Sequence, residues 1–499
     1  MTFLKNSVIE IIKGRYKYVI VIALLAGAIL PFLLLSFFAF PSLDDYWMLI
    51  YHRYLREENV SVWRAIAEQL TSVYTSFGVA PNVFISFLFL PLLQFGIAGI
   101  RIINFCMNIL FLFSTFVFIK WVLKGVFKDA NSLHWLTAYF LYVICFISFC
   151  YQSEIFAWTN VTLCYLFPVS CLHLGLAFWI RASLFKNVRF WTLSAVFGVL
   201  GAMGTLHIAA LVCGLYVASL LLLLINKKST RSAVFIVFVV VAVGASILFT
   251  PGLYKRHDIM SSEYNWLVSL KFTVNCIWLI VKTFLYSPIA IVLCLFAILA
   301  SKWFVFSKPI HWMNVALAFV LAVLSPVIVL FPYCFGYGVH GQFMTPRVRF
   351  VADMTIIICG LFVIFCATAF VKSRMPHSAV TKASMLPLII VLALFCGNIA
   401  FTCHGLYDSG GSKSFLPLMV VRDISSGQLA KTNTYWDGKI KEWGGSEGQD
   451  VVVDMEEQDA NRLPYLMYPT VARDPDYFGN VEIADFYHLN SIRGVLSVN

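Results

Sequence analysis

The sequence predicts an all-α polytopic membrane protein that carries a small mixed α/β domain at its C-terminal end. Three observations make that prediction. Of 499 residues 60% are hydrophobic and only 12% charged, far from the composition of a soluble globular chain. Uncharged runs of about 20 residues, the length a helix needs to cross a hydrocarbon layer of about 30 Å, recur from Tyr18–Phe40 onward. From His404 to Asn499 those runs give way to mixed sequence rich in Asp, Glu and Gly.

Clusters of Lys and Arg in short loops mark the cytoplasmic side and fix the winding. Lys5, Lys13, Arg15 and Lys17 precede the first run, and further clusters stand at Lys120/Lys124/Lys128, Arg181/Lys186/Arg189, Lys227/Lys228/Arg231, Lys302/Lys308 and Lys372/Arg374/Lys382. With the N-terminus inside, about eleven spans satisfy them: 18–40, 101–122, 134–152, 162–180, 190–206, 207–225, 233–250, 284–301, 312–331, 350–371 and 384–403. The first reads as an uncleaved anchor, being longer than a signal-peptide core of about 7 to 15 residues. Val83–Ile100 is also apolar enough to span. Counting it would place Lys120, Lys124 and Lys128 outside, so it is expected to lie along the outer surface. The inside then holds 18 basic residues against two acidic ones, Glu10 and Asp129, and the outside 18 against 23. The net charge of +11 is therefore a topology signal and gives no support to nucleic-acid binding. Thirteen cysteines without a CxxC pair argue against a zinc site or a disulfide framework.

The winding divides the chain into a transmembrane domain, 1–403, with a long outer loop at 41–100, and an extracytoplasmic domain, 404–499. Amphipathic helical stretches are expected near 45–57 and 60–76, and "VVVDM", Val451–Met455, reads as a short strand. A second outer segment runs from Thr250 to about Thr283. The inner loops are short and basic, with nothing like a nucleotide-binding glycine loop, so chemistry is expected on the outer face.

That face offers several constellations. Asp44 and Asp45 follow the first span within about one turn, where partial dehydration raises a carboxylate pKa and suits it to take a proton from a hydroxyl. The alternative is a pair that caps the following helix. In "YQSEIFAWTNVTLCYLFP", Tyr151–Pro168, the residues Glu154, Trp158 and Asn160 supply an acceptor, a flat ring and an amide, as a sugar requires. "TPGLYKRHD" places Lys255 and Arg256 at headgroup depth, either to pair with a phosphate or to snorkel. Further on, Asp353 stands four residues after Arg349, the spacing of a helical ion pair, which leaves Arg347 for a ligand. His207 at outer depth is a candidate pocket wall. Charges gather at the outer ends of spans and are nearly absent from their inner halves, unlike a transporter with polar sites at the midplane.

These features resemble the GT-C superfamily of membrane glycosyltransferases. The resemblance rests on Asp44-Asp45-Tyr46, the surface helix followed by Arg101, "EIFAWTNVTLCYLFP", "PGLYKR" and the tail segment "DPDYFGNVEIADFYHLNSI". It is nearest to the bacterial branch that includes serotype-converting O-antigen glucosyltransferases and their uncharacterised relatives. The resemblance implies an inverting enzyme of the bacterial inner membrane with a periplasmic C-terminal domain. It would move a sugar, glucose in the named relatives, from polyprenyl phosphate to a glycan or glycolipid such as O-antigen. Asp44 or Asp45 would be the general base, Arg256, Lys255 and Arg347 would hold the donor phosphate, and Tyr46, Trp47, Glu154, Trp158, Asn160 and His207 would line the sugar and acceptor sites. Some members use a divalent cation and others none, and the sequence holds no complete ligand set. A lipid-linked sugar flippase is the alternative: it would need the cations but no carboxylate base.

Overall fold

The computed structural model describes residues 16–58, 97–126, 132–147, 153–225, 231–252, 254–255, 265–285, 312–337, 345–374 and 416–496, with short pieces between 61 and 96. Among the described residues six helices are long and apolar enough to cross a membrane: Tyr18–Phe38, Ile97–Gly125, Thr159–Phe185, Leu206–Ile225, Arg231–Leu248 and Phe319–Gly336. Each falls on an expected span. From residue 286 on, the span expected at 284–301 lies outside the described residues, as do the span at 384–403 and most of Val83–Ile100.

Helix α1 (Tyr16–Leu34) continues as a 3-10 turn, Leu35–Phe38, and gives way at Ala39 to extended chain (ψ 140°). Leu43, with φ 42°, turns the backbone into α2 (Asp44–Glu57). A reverse turn at Phe95–Gly96 (φ 57° at Gly96) then starts α3 (Ile97–Val126), four residues before the expected point. There follow α4 (Ser132–Cys145), α5 (Ser153–Ala157), α6 (Phe167–Phe185), α7 (Val188–Ala202), α8 (Leu206–Ile225) and α9 (Arg231–Leu248). Next in order are α10 (Trp266–Leu285), α11 (Trp312–Tyr337) and α12 (Pro346–Arg374).

Packing follows the chain closely. α6 and α7 form a hairpin in which left-handed Lys186 (φ 52°) ends one helix and the Asn187 side chain caps the next by accepting the Arg189 N–H at 2.9 Å. Between them lies Tyr216 of α8, whose hydroxyl donates to the Ser194 carbonyl at 2.8 Å. A Cβ at Gly198 would stand 2.7 Å from that hydroxyl, so the absence of a side chain is what lets the phenol reach the backbone. α3 packs on α6, α8 on α9, and α11 on α8, α10 and α12.

Residues 266–285, within the segment expected to be an outer one, form a 20-residue helix packed on α11. Lys271 and Lys282 are eleven positions apart, which on a helix brings them within about 20° of one azimuth. Two lysines that break up the linear sequence thus form one charged stripe, and the opposite stripe (Ser269, Thr273, Cys276, Ile280) is buried.

The tail comprises α13 (Leu416–Ser425), α14 (Gln428–Gly444), β1 (Asp450–Asp454), α15 (Met455–Ala460), α16 (Phe478–Tyr487) and β2 (Ser491–Val495). β1 and β2 pair in parallel, Asp450 opposite Ser491, so the expected strand is present one residue earlier than predicted. Trp436 and Trp443 of α14 are fully buried.

Contacts around Phe40 and Arg101, and others on α2, join the tail to the helices. Phe40 stacks on Tyr468 (5.7 Å), and Arg101 lies 5.1 Å above the Phe40 ring. The same guanidinium reaches Asn433 at 3.4 Å and Asp437 at 3.6 Å. On α2, Arg53 donates to the carbonyls of Phe486 (3.1 Å) and Asp485 (3.3 Å) and to His488 Nε2 (2.8 Å). A cation thereby closes the C-terminal end of α16, where backbone acceptors are exposed.

Candidate active site

Asp44 and Asp45 open α2, and successive helical side chains diverge by about 100°, so the two meet different surroundings. Asp45 is 1% exposed. One of its oxygens accepts the Ser42 N–H at 3.2 Å and the other the Asn160 N–H at 2.8 Å. Asp44 is only half-buried and accepts the Asn160 side-chain amide at 3.1 Å. Asn160 therefore holds both carboxylates, one through its backbone and one through its side chain.

A free backbone N–H at Asn160 requires a broken helix, and the chain breaks there. α5 stops at Ala157, Trp158 is extended (φ −96°, ψ 109°), and Thr159–Val161 and a π-helical turn, Thr162–Leu166, precede α6. Carbonyls freed at apolar depth need internal donors. Asn104 and Asn108 of α3 supply them to Ala157 (3.0 Å) and Phe156 (3.2 Å), and the Thr162 hydroxyl donates to Ile155 (2.7 Å). π-helical turns of this kind gather at functional sites.

Arg347, in the first turn of α12, completes the cluster. Its guanidinium lies 5.4 Å from the Trp158 ring centroid. Its charge acts on Asp44, Glu154 and His207 together. Burial raises the pKa of Asp44, and the Asn160 hydrogen bond and Arg347 oppose that rise. Glu154, in α5, is likewise raised by burial and lowered by Arg347. For Asp45 burial dominates and pushes the pKa up to about 8, against the hydrogen bonds from Asn160 and Ser42.

The tail adds a carboxylate that sequence reasoning did not single out. Glu482 of α16 takes the backbone N–H of Trp47, a first-turn donor of α2, and its pKa is pushed up to about 7 by burial and then by the Asp44 charge. The available signal was its position four residues before Phe486, whose ring packs on Tyr46 (5.6 Å): an acid in the apolar stripe of a short helix.

Four buried polar atoms around the cluster lack a hydrogen-bond partner: Ser42 Oγ, Trp158 Nε1, Thr159 Oγ1 and Glu482 Oε2. Folded proteins satisfy nearly all such atoms, so these four are groups that a polar ligand or water could satisfy.

The structure thus brings together Asp44, Asp45, Glu154, Trp158, Asn160 and Arg347, with His207 buried against Tyr165 (5.2 Å) behind them. Arg349 and Asp353 form the expected ion pair at 3.3 Å. One expected role changes. Tyr46 is fully buried between Phe486 and Tyr487, so it packs the tail onto α2 and faces no sugar. Trp47 stacks on Tyr51 (5.7 Å) and serves the cluster through its backbone. Lys255 is exposed, and Arg256 lies outside the described residues. Among the described residues no three His, Cys, Asp or Glu side chains are placed to hold a metal ion. No protein-family model matches the chain, and no curated protein matches it.

Proposed function

We propose that this cluster is the catalytic centre of an inverting membrane glycosyltransferase. It takes a sugar from polyprenyl phosphate and transfers it to a hydroxyl of a cell-surface glycan, at the outer face of a bacterial inner membrane. The observation that carries the reading is the half-exposed Asp44 carboxylate, oriented by Asn160 within the field of Arg347, at the end of apolar helices. Asp44 takes the proton of the acceptor hydroxyl. The freed oxygen forms a bond to the anomeric carbon as the carbon–oxygen bond to phosphate breaks, and the electron pair leaves on the phosphate. That leaving group needs charge neutralisation, which Arg347 supplies. Asp45, which accepts backbone N–H groups on both oxygens, fixes the turn that aims Asp44. Glu154 offers an acceptor to the sugar, and Trp158, buried with Arg347 over its ring, holds the guanidinium in place.

The purified protein should release polyprenyl phosphate from at least one member of a panel of polyprenyl-phosphate sugars when a glycan acceptor is present. Exchange of such lipids between leaflets of a vesicle, without hydrolysis or transfer, would replace this reading by a flippase.

The same assay reads Glu482. Its raised pKa keeps it protonated and neutral below about pH 7. Above that it ionises beside Asp44 and repels an incoming phosphate, so transfer should decline on the alkaline side. Glu482→Gln should keep the rise of activity with pH that reports Asp44 and should lack the decline near pH 7. An unchanged alkaline limb in this variant would remove Glu482 from the site.

A further inference from the structure

The far end of α3 carries a second cluster, roughly 35 Å along the helix from Arg101, independent of the carboxylates. Here three helix ends meet. A Cβ at Gly125 would stand 2.9 Å from Ile180 Cγ2, so a glycine lets α3 approach α6 closely. The approach brings Trp121 of α3 over Arg181, one turn before the end of α6, with Phe190 of α7 beside them. The Arg181 guanidinium lies 3.9 Å from the Phe190 centroid, 4.7 Å from Trp121 and 5.7 Å from Phe178. Lys124 lies 5.2 Å from the same Trp121 ring, and Lys120 lies 4.9 Å from Trp135.

Ring faces stabilise a cation but accept none of its in-plane N–H bonds. Arg181 Nε is buried with no hydrogen-bond partner. Two cations sharing one indole also repel each other. Sequence supplies little to neutralise them: no acid occurs between Glu154 and Asp258, and Asp129 stands alone against Lys120, Lys124, Lys128, Arg181, Lys186 and Arg189. Stacked rings hold the guanidinium with its Nε–H unpaired, and the natural complement of a guanidinium edge is a pair of anionic oxygens. The rim beside it is apolar: Leu184, Phe185 and Val188 are 43%, 60% and 73% exposed. An anionic group joined to a hydrocarbon chain matches both parts.

We propose that the joint ends of α3, α6 and α7 bind the headgroup of an anionic phospholipid, with Arg181 and Lys124 on the phosphate and Leu184, Phe185 and Val188 along the acyl chain. The test uses the full chain in neutral detergent, with phosphatidylglycerol and phosphatidylcholine titrated separately and bound lipid counted by native mass spectrometry. Phosphatidylglycerol should bind in preference. Arg181→Gln should weaken it by about tenfold to a hundredfold, Lys124→Gln by less, and Arg181→Lys should recover part of the loss. Lys124→Gln, at a partly exposed side chain, carries the test should the Arg181 variant fail to insert. Equal binding of the two lipids, wild-type affinity in the Gln variants, or displacement of phosphatidylglycerol by an equal concentration of inorganic phosphate would each overturn the proposal, the last by making this a site for a soluble anion.

Discussion

Asp44→Asn should lower sugar transfer by about 10² to 10⁴ while insertion and thermal stability stay near wild type. Asparagine keeps the shape of the side chain, and its carbonyl oxygen still accepts the Asn160 amide, so the contact at 3.1 Å survives. What it lacks is basicity. The neighbouring Asp45→Asn should behave in the opposite way. Asp45 receives backbone N–H groups on both oxygens, and an amide must turn its own NH₂ toward one of these donors. The cost is about 1 to 3 kcal/mol for the buried donor left unpaired, read as a lower melting temperature and yield, with correctly folded molecules retaining most of their turnover. A carboxylate with a folded pKa raised to about 8 favours the folded state at low pH, and that contribution is lost as pH rises from about 4 to 8. Asp45→Asn should flatten that slope in thermal unfolding, and Asp44→Asn should not abolish it. Full transfer activity in the Asp44 variant would falsify the proposed chemistry.

Arg347→Ala should weaken donor use by about tenfold to 150-fold, the value of a charge-assisted hydrogen bond to phosphate. It should leave a second mark. Arg347 lowers the pKa of Asp44, so its removal should move the acid limb of the activity profile to higher pH. Arg347→Lys separates the two effects: the charge remains and holds the limb in place, whereas the planar fork is gone and the donor KM stays raised. An unaltered donor KM in the Ala variant would shift the phosphate site to Arg256 or elsewhere.

What could be read in the sequence divides along physical lines. Helices that span a membrane announce themselves by length and lack of charge, so Ile97–Gly125 and Arg231–Leu248 fall within a few residues of expectation. The stripe of Lys271 and Lys282 on α10 was not legible, because a charge stripe is a property of azimuth, visible only once the chain is wound. Asp44, Asn160 and Arg347 were legible as polar residues where apolar depth makes them costly. Their mutual arrangement was not, since it depends on the break at Trp158, which Asn104 and Asn108 stabilise from another helix. Tyr46 stood at the sugar site by the resemblance alone, and the rings of Phe486 and Tyr487 that bury it lie more than 400 positions away. Glu482 was obscured for the same reason: its importance comes from α2, far off in the chain.

Arg53 and its partners on α16 are separated by 432 to 435 residues. At a translation rate of about 5 to 20 residues per second, α2 waits roughly 20 to 90 s after its synthesis before the helix that covers it exists. During that interval the ring of Tyr46 and the first-turn N–H of Trp47 have no tail to meet them. The carboxylate cluster is therefore assembled only after residues 478–488 have been made. A nascent chain that stops short of α16 lacks one wall of the cluster, so synthesis of that helix is what completes it.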